Sequence, residues 1–382
     1  MQREKYFGLS PRIARWKLDK PLENWLSYRA DHSSFFKHLY LFYYSLFDRK
    51  YYLVGRQMAK KVFTSHASSD GVSDINAVVN DMIYCLHRFG ISFQDYCVYD
   101  FVNNNDYYYR NSFVSDKLRY HYCDLLNTKE VYQIMTDKHA CYKIFGKFFK
   151  RMVVGCFTEN DEKEFLEFVE ANSSFIYKPL EEHSGHGVEI FKSMEINPPK
   201  FFREKLACGS FVVEELIEQG KEVACMHPQS VNSCRVLTFT DGQTVRVIGT
   251  TWRVGSGDAI KDNAGAGGMY AFVNPQTGIV ETDAINYCGK TFKQHPDTGF
   301  RFEGFQMPKW DEAMKTIRQM ATYIKGTTLI AWDIAFSTKG WVMVEANENG
   351  DWSIIQSNKK IGLKQQLFGY MDDFFKTVSS KK

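Results

Sequence analysis

One stretch near the C-terminal end constrains the fold more than any other. It reads Ala331-Trp332-Asp333-Ile334-Ala335-Phe336, Ser337-Thr338-Lys339-Gly340, Trp341-Val342-Met343-Val344-Glu345-Ala346-Asn347. Two apolar runs flank a short polar segment that ends in glycine, which predicts a β-hairpin. A two-residue loop would pair Ser337 with Gly340 and send Asp333 and Glu345 to opposite faces. A three-residue loop, Thr338-Lys339-Gly340, would pair Ser337 with Trp341 and set Asp333 directly opposite Glu345, with Gly340 as the left-handed residue. Alternation then places Asn347 on the Glu345 face. Cross-strand Cβ atoms lie roughly 5 Å apart, and facing carboxylates repel. A hard divalent cation relieves that repulsion, and Mg²⁺ takes one or two carboxylates plus phosphate oxygens. The expectation is therefore a three-residue loop, with Asp333, Glu345 and Asn347 as metal ligands. The plainer reading is an exposed, acidic hairpin face.

Three earlier segments carry complementary chemistry. In Phe175-Ile176-Tyr177-Lys178-Pro179 a strand ends in a lysine, and the small-residue loop Ser184-Gly185-His186-Gly187 follows. Backbone N–H groups of Ser184 and Gly185 could approach a phosphate, with Lys178 adding a point charge. The plainer reading is a polar turn. His183 and His186 have no partners at metal-ligand spacing and are read as loop residues. In Phe211-Val212-Val213-Glu214-Glu215-Leu216-Ile217 an apolar strand ends in two acceptors suited to an adenine amino group and ribose hydroxyls, or in ordinary solvated carboxylates. In Ser233–Gly255 a hairpin turns at Thr240-Asp241-Gly242-Gln243, carries Arg235 and Arg253 on its arms, and is followed by Asp262-Asn263 and a glycine-rich loop. Arg253 among apolar residues calls for a buried anion, either a ligand or a structural carboxylate.

Strands interleaved with helices make the chain α+β. Residues 1–128 read as an α-rich lobe, with Asn76–Phe89 apolar at helical spacing and Gly90 as its stop. Thr128 is placed to cap the helix that follows. The chain is rich in aromatic residues, with 31 Phe and 22 Tyr over its whole length, and many of them cluster before residue 130, which predicts a packed aromatic lobe there. The apolar run Leu39–Phe47 is too short to span a bilayer. It reads as a core helix, with peripheral membrane contact as the alternative. A net charge of +3 with no basic block argues against a dedicated nucleic-acid binder. Nine cysteines with no Cys-x-x-Cys pair, and no apolar leader after Met1, predict a cytoplasmic protein with reduced thiols. Two other nucleotide motifs fail. Gly289-Lys290-Thr291 mimics a P-loop end, but Ala284 stands where its first glycine belongs, and Gly265-Ala266-Gly267-Gly268 lacks dinucleotide spacing.

In this order the segments resemble the ATP-grasp superfamily. Ser230-Val231-Asn232-Ser233-Cys234-Arg235, His295-Pro296-Asp297-Thr298-Gly299 and Met307-Pro308-Lys309-Trp310 resemble its sugar-transfer-associated family. The resemblance implies two α+β lobes, 129–214 and 215–382, clamping ATP, with the α-rich lobe in front. It implies ATP and Mg²⁺, two ions being expected, as cofactors. Lys138 and Lys178 would bind phosphates. Glu214, Glu215 and Ile217 would form the adenine hinge, and Glu222 would meet the ribose. Arg253, Arg235 and Asn263 would be catalytic. The implied activity is carboxylate–amine ligation through an acyl-phosphate, with small-molecule acid and amine substrates and a sugar or sugar nucleotide among the candidates, in cell-surface polysaccharide work. A phosphotransferase of the same fold, or a non-catalytic ATP-binding partner of a glycosyltransferase system, are the rival readings.

Overall fold

The computed structural model describes residues 21–47, 49–180, 187–259, 262 and 267–380. The calls on His183, Ser184, Gly185, His186 and Asn263 lie outside the described residues. The first part is helical, as the periodicity predicts: Pro21–Ala30, Ser34–Phe47, Arg49–Thr64, Ile75–Phe89, Phe93–Val98, Tyr107–Ser112 and Asp116–Leu126. Ile75–Phe89 starts on the Asp74 side chain and stops at Gly90, whose φ of 73° is left-handed. Its buried side chains join Tyr40, Phe63, Tyr96 and Phe101 in an aromatic core. Thr128 caps Lys129–Thr136 by accepting from the Val131 amide.

Two antiparallel sheets follow. The smaller contains β1 (Val153–Cys156), β2 (Ser174–Pro179), β3 (Glu189–Lys192) and β4 (Phe211–Glu215), in the order β1-β4-β2-β3. Helices Glu162–Ala171 and Pro198–Cys208 close one face with Phe165, Phe168, Phe201 and Phe202. The larger contains β5 (Ser233–Thr240), β6 (Val245–Val254), β7 (Met269–Phe272), β8 (Ala284–Ile285), β9 (Thr291–Phe292), β10 (Leu329–Ser337) and β11 (Gly340–Asn347), in the order β11-β10-β5-β6-β7-β8-β9. One face buries Val236, Trp252, Trp332, Ile334 and Met343 against helices Lys129–Thr136, Lys138–Phe149 and Trp310–Ala321. The opposite face carries Leu237, Phe239, Leu329 and Ala331 under helices Asp116–Leu126, Ser353–Lys359 and Lys364–Ser380.

The β10–β11 hairpin corrects one expectation. Its loop has two residues, pairing Ser337 with Gly340, rather than three. Asp333 nevertheless lies opposite Glu345, because the register slips between Asp333 and Ile334. Val344 is the extra residue of a β-bulge. Met343, opposite Ile334, therefore packs into the core below, while Glu345, two residues on, faces the other side with Asp333. A second slip between Leu237 and Thr238 leaves Ile248 unpaired and sets Arg235 opposite Thr251.

Beside that second slip, a Cβ on Gly249 would lie 2.2 Å from Ile355 Cγ2 on helix Ser353–Lys359. Gly249→Ala should therefore destabilise the protein by about 1–3 kcal/mol through overpacking. Adding Ile355→Ala should recover part of that loss. Urea unfolding of the two single variants and the double would show it. Strict additivity would mean that the contact is not what excludes a side chain at residue 249.

Candidate functional site

The site occupies the part of the large sheet's face that the helices of the second core leave open. Three side chains stand on one rung across three strands: Glu345 on β11, Asp333 on β10 and Arg235 on β5. Alternation puts Asn347, Ser233 and Arg253 on the same face. Arg235 binds Asp333 bidentately, Nε to Oδ1 at 2.9 Å and Nη2 to Oδ2 at 2.8 Å. Arg253 donates from Nη2 to the same Oδ2 at 2.9 Å and to Ser233 Oγ at 2.6 Å. The Asn347 amide nitrogen lies 3.3 Å from Asp333 Oδ2 and 3.2 Å from Glu345 Oε1, bridging the two carboxylates. Asp262 closes the group. It accepts from the Ser233 amide at 2.9 Å and from the Ser233 hydroxyl, with Arg253 Nε at 3.6 Å.

The two facing carboxylates are driven apart in acidity. Complete burial pushes Asp333 up, but the Arg235 and Arg253 guanidinium groups outweigh it and hold it well below the usual carboxylate range. Glu345 is raised, by the protein packed around it and then by the Asp333 charge beside it, while its side chain still reaches water. A divalent cation would relieve that strain. Among the described residues no group of three or more His, Cys, Asp or Glu side chains is placed to hold a metal. Two carboxylates and an amide leave most coordination positions to phosphate oxygens and water, which is the donor set Mg²⁺ takes beside a polyphosphate. The residues present therefore fit the ion.

The lysines come from the small sheet and its neighbouring helix. Lys138, at the start of Lys138–Phe149, donates to the Pro179 carbonyl at 3.0 Å, so it meets the chain next to Lys178. Lys178 donates to Glu214 Oε1 at 2.7 Å. Glu214 is buried and also receives Arg151, Nη2 to Oε2 at 2.8 Å. Burial raises the Glu214 carboxyl, yet the Lys178 and Arg151 charges outweigh it and bring it down to about 2. The second glutamate points elsewhere. Glu215 pairs with Lys339 at 2.8 Å across the cleft between residues 215–218 and the β10–β11 turn. Residues 215–218, with Lys150 and Thr338, line a cavity there of about 40 Å³, room for a few water molecules and not for a purine. Ile217 belongs to that lining, whereas Glu222 stands exposed on helix Lys221–Ala224.

Sequence reasoning missed Arg151, Ser233, Asp262 and His227 as working parts. Arg151 also donates to the Met343 carbonyl at 2.5 Å and the Val344 carbonyl at 3.2 Å, so it ties Glu214 to the bulge that orients Glu345. His227 and the motif His295-Pro296-Asp297 clamp the loop beyond Arg253. His295 Nε2 meets the Gly255 carbonyl at 2.8 Å, His227 Nε2 the Gly257 carbonyl at 2.9 Å, and Asp297 the Gly257 amide at 2.6 Å. The His295–Gly299 signal was visible in the sequence, but its structural task was not.

A two-lobed antiparallel α+β fold with lysines from one lobe and a carboxylate–amide set on the other is the ATP-grasp fold. The model of the sugar-transfer associated ATP-grasp family matches residues 117–369, and the chain belongs to that family. Among solved structures it is similar to the ATP-grasp ligase PsnB complexed with a minimal precursor, at 12% identity and a TM-score of 0.41, covering 67% of this chain and 68% of that one. It is similar also to D-alanine–D-alanine ligase from Bacillus anthracis, at 12% identity and a TM-score of 0.42, covering 69% and 77%. A RimK domain ATP-grasp protein from Sphaerobacter thermophilus is 14% identical with a TM-score of 0.37, covering 64% and 69%. No curated protein matches the sequence significantly.

The Glu214 cluster sets a pH dependence. The folded value lies below the ordinary 4.5, so its contribution is fully present above about 4.5 and is lost as pH falls toward about 2. That shift corresponds to about 3 kcal/mol. Glu214→Gln should lower stability at neutral pH, and the gap to wild type in urea-unfolding free energy should shrink by about 3 kcal/mol as pH falls to about 2. A gap that does not change with pH would show that Glu214 titrates at its ordinary value.

Proposed function

We propose that this chain is an ATP-dependent carboxylate–amine ligase that modifies a sugar or sugar nucleotide in cell-surface polysaccharide formation. The observation that carries the reading is the rung Glu345–Asp333–Arg235 with Arg253 beside it: paired carboxylates and two guanidinium groups on one open face. On this reading 129–214 and 215–382 are the two clamping lobes and 1–128 is the α-rich lobe. Lys138 and Lys178 hold phosphates, with backbone N–H groups of Ser184 and Gly185 alongside. Glu214, Glu215 and Ile217 form the adenine hinge, and Glu222 meets the ribose. Asp333, Glu345 and Asn347 would hold Mg²⁺, two ions being expected with ATP in place, and the metal would neutralise phosphate charge. The nine free cysteines suit a reducing, cytoplasmic setting for the reaction.

Little acid–base chemistry is required of the protein. A substrate carboxylate oxygen attacks the γ-phosphorus, the bond to the β-γ bridging oxygen breaks, and ADP leaves. An amine nitrogen then attacks the acyl carbon, the carbon–oxygen bond to phosphate breaks, and the nitrogen gives up a proton. The chain's contribution is positioning and charge. Arg253 and Arg235, with Asn263 from the following loop, face the transferred phosphoryl group and the tetrahedral oxyanion.

Nucleotide product analysis with uronic-acid sugar nucleotides and a panel of amino acids tests the reaction class. ADP and phosphate should form only when acid and amine are both present. ADP formed with a sugar alone, leaving a phosphorylated product, would instead identify a phosphotransferase. Absence of any turnover with retained ATP binding would identify a binder.

Arg253→Lys separates chemistry from architecture. Lysine keeps the charge and loses the planar fork that reaches Asp333 and Ser233 together. If Arg253 acts on the transition state, kcat should fall about a hundredfold to a thousandfold, with the KM for ATP changed far less. A lowered melting temperature with normal kcat would reduce Arg253 to a structural partner of Asp333.

A further inference from the structure

The helices Pro21–Ala30, Ser34–Phe47 and Arg49–Thr64 pack consecutively and carry the largest concentration of exposed apolar side chains among the described residues. On Ser34–Phe47 the inward face, Tyr40, Leu41 and Tyr44, is buried in the aromatic core. The outward face is apolar too. Phe35, Leu39, Phe42 and Leu46 follow one another at helical spacing, with exposures from 37% at Leu39 to 68% at Phe35. Leu53 and Met58 continue the surface on the next helix, and Trp25 and Tyr28 on the preceding one. A helix that is apolar all round belongs in a core or against a non-aqueous phase, and among the described residues this one has protein on one side only.

Charge selects the occupant. Among the described residues of the span 25–65 the exposed charged side chains are Arg29, Arg49, Lys50, Lys60 and Lys61, all cationic; Asp48 lies outside the described residues. The one described carboxylate in that span, Asp31, is taken up by Arg88, with Nη2 to Oδ2 at 2.7 Å. An apolar, aromatic strip with Trp and Tyr at its margin and a cationic border is what lies in the interfacial layer of an anionic bilayer. A second copy fits poorly, because a two-fold interface would set this cationic border against itself. No helix among the described residues is long and apolar enough to cross a membrane, so the contact is peripheral.

The geometry points to this face as a docking surface for anionic lipid bilayers, which would hold the open site close to membrane-bound acceptors. The docking stands apart from the reaction class proposed above.

The full chain should be sedimented with phosphatidylcholine vesicles containing one-third phosphatidylglycerol, and with phosphatidylcholine vesicles alone. Binding is expected to the anionic vesicles and to weaken with salt. Phe42→Ser with Leu46→Ser should lower the partition coefficient about tenfold or more. Lys60→Glu with Lys61→Glu should lower it about tenfold and flatten the salt dependence. All these side chains are exposed, so melting temperature and ATP affinity should stay at wild-type values in both variants, which excludes misfolding as the cause. Failure of the wild-type chain to bind anionic vesicles would overturn the proposal. So would equal binding to both vesicle types, or a wild-type dimer that Leu46→Ser converts to a monomer without vesicle binding.

Discussion

Everything in the site depends on Asp333 being charged inside a sheet. It has no exposed surface, and an isolated carboxylate there would cost several kcal/mol in lost hydration. Two guanidinium groups make that burial tolerable. Arg235 stands directly across the strand pair and grips both oxygens, while Arg253 reaches over from the next strand to the oxygen nearer Ser233. Neither arginine could be buried without the acid, and the acid could not be buried without them. The result is a rigid ionic centre in which both guanidinium groups grip Asp333 and Glu345 is held by the Asn347 amide. Glu345 is thus the carboxylate of the pair left open to a cation.

The second dependence runs through the bulge. Glu345 faces Asp333 only because Val344 is extra, and a bulge strands backbone carbonyls that need donors. Arg151 supplies them at Met343 and Val344 while also holding Glu214. One side chain thus serves both sheets. The arrangement has a consequence at Lys178. Were Lys178 to turn toward a phosphate, Glu214 would keep two bonds to Arg151, through Nε at 3.2 Å and Nη2 at 2.8 Å. The buried carboxylate would keep a charged partner on Oε2, although Oε1 would lose its bond from Lys178.

Local rules were legible where local chemistry decides. Thr128 and Gly90 mark helix ends because cap residues act on their own backbone. Arg253 and the paired acids stood out because charges in apolar strands demand partners. The bulge was not legible. Reading the hairpin as regular required an extra loop residue to bring Asp333 against Glu345; the structure inserts the extra residue at Val344 instead, where only Arg151, far away in sequence, makes it affordable. Arg151 and Asp262 carried no local signal, because their partners belong to strands distant in sequence. In Leu39–Phe47 the periodicity showed a core helix, and Tyr40 and Tyr44 are core, but a pattern apolar on both faces could not say which face would be covered.

The strength of contacts also varies in a way that suits a clamp. Around Asp333 the ion pairs are buried and bidentate, the kind whose disruption costs roughly 3 to 5 kcal/mol. Beside residues 215–218 the cleft is bridged by two side-chain contacts, Glu215 with Lys339, half of the lysine being in water and the pair so worth little, and Thr338 with Glu218 at 3.3 Å. The backbone bonds from Gly220 to Phe336 and from Thr338 to Glu218 lie just beyond it and do not involve the side chains of the cleft. Parting Glu215 from Lys339 would therefore widen the 40 Å³ cavity without breaking the backbone attachment of residues 218–220 to the β10–β11 hairpin. The contacts of the ionic centre around Asp333 lie elsewhere on the large sheet and do not depend on that pair.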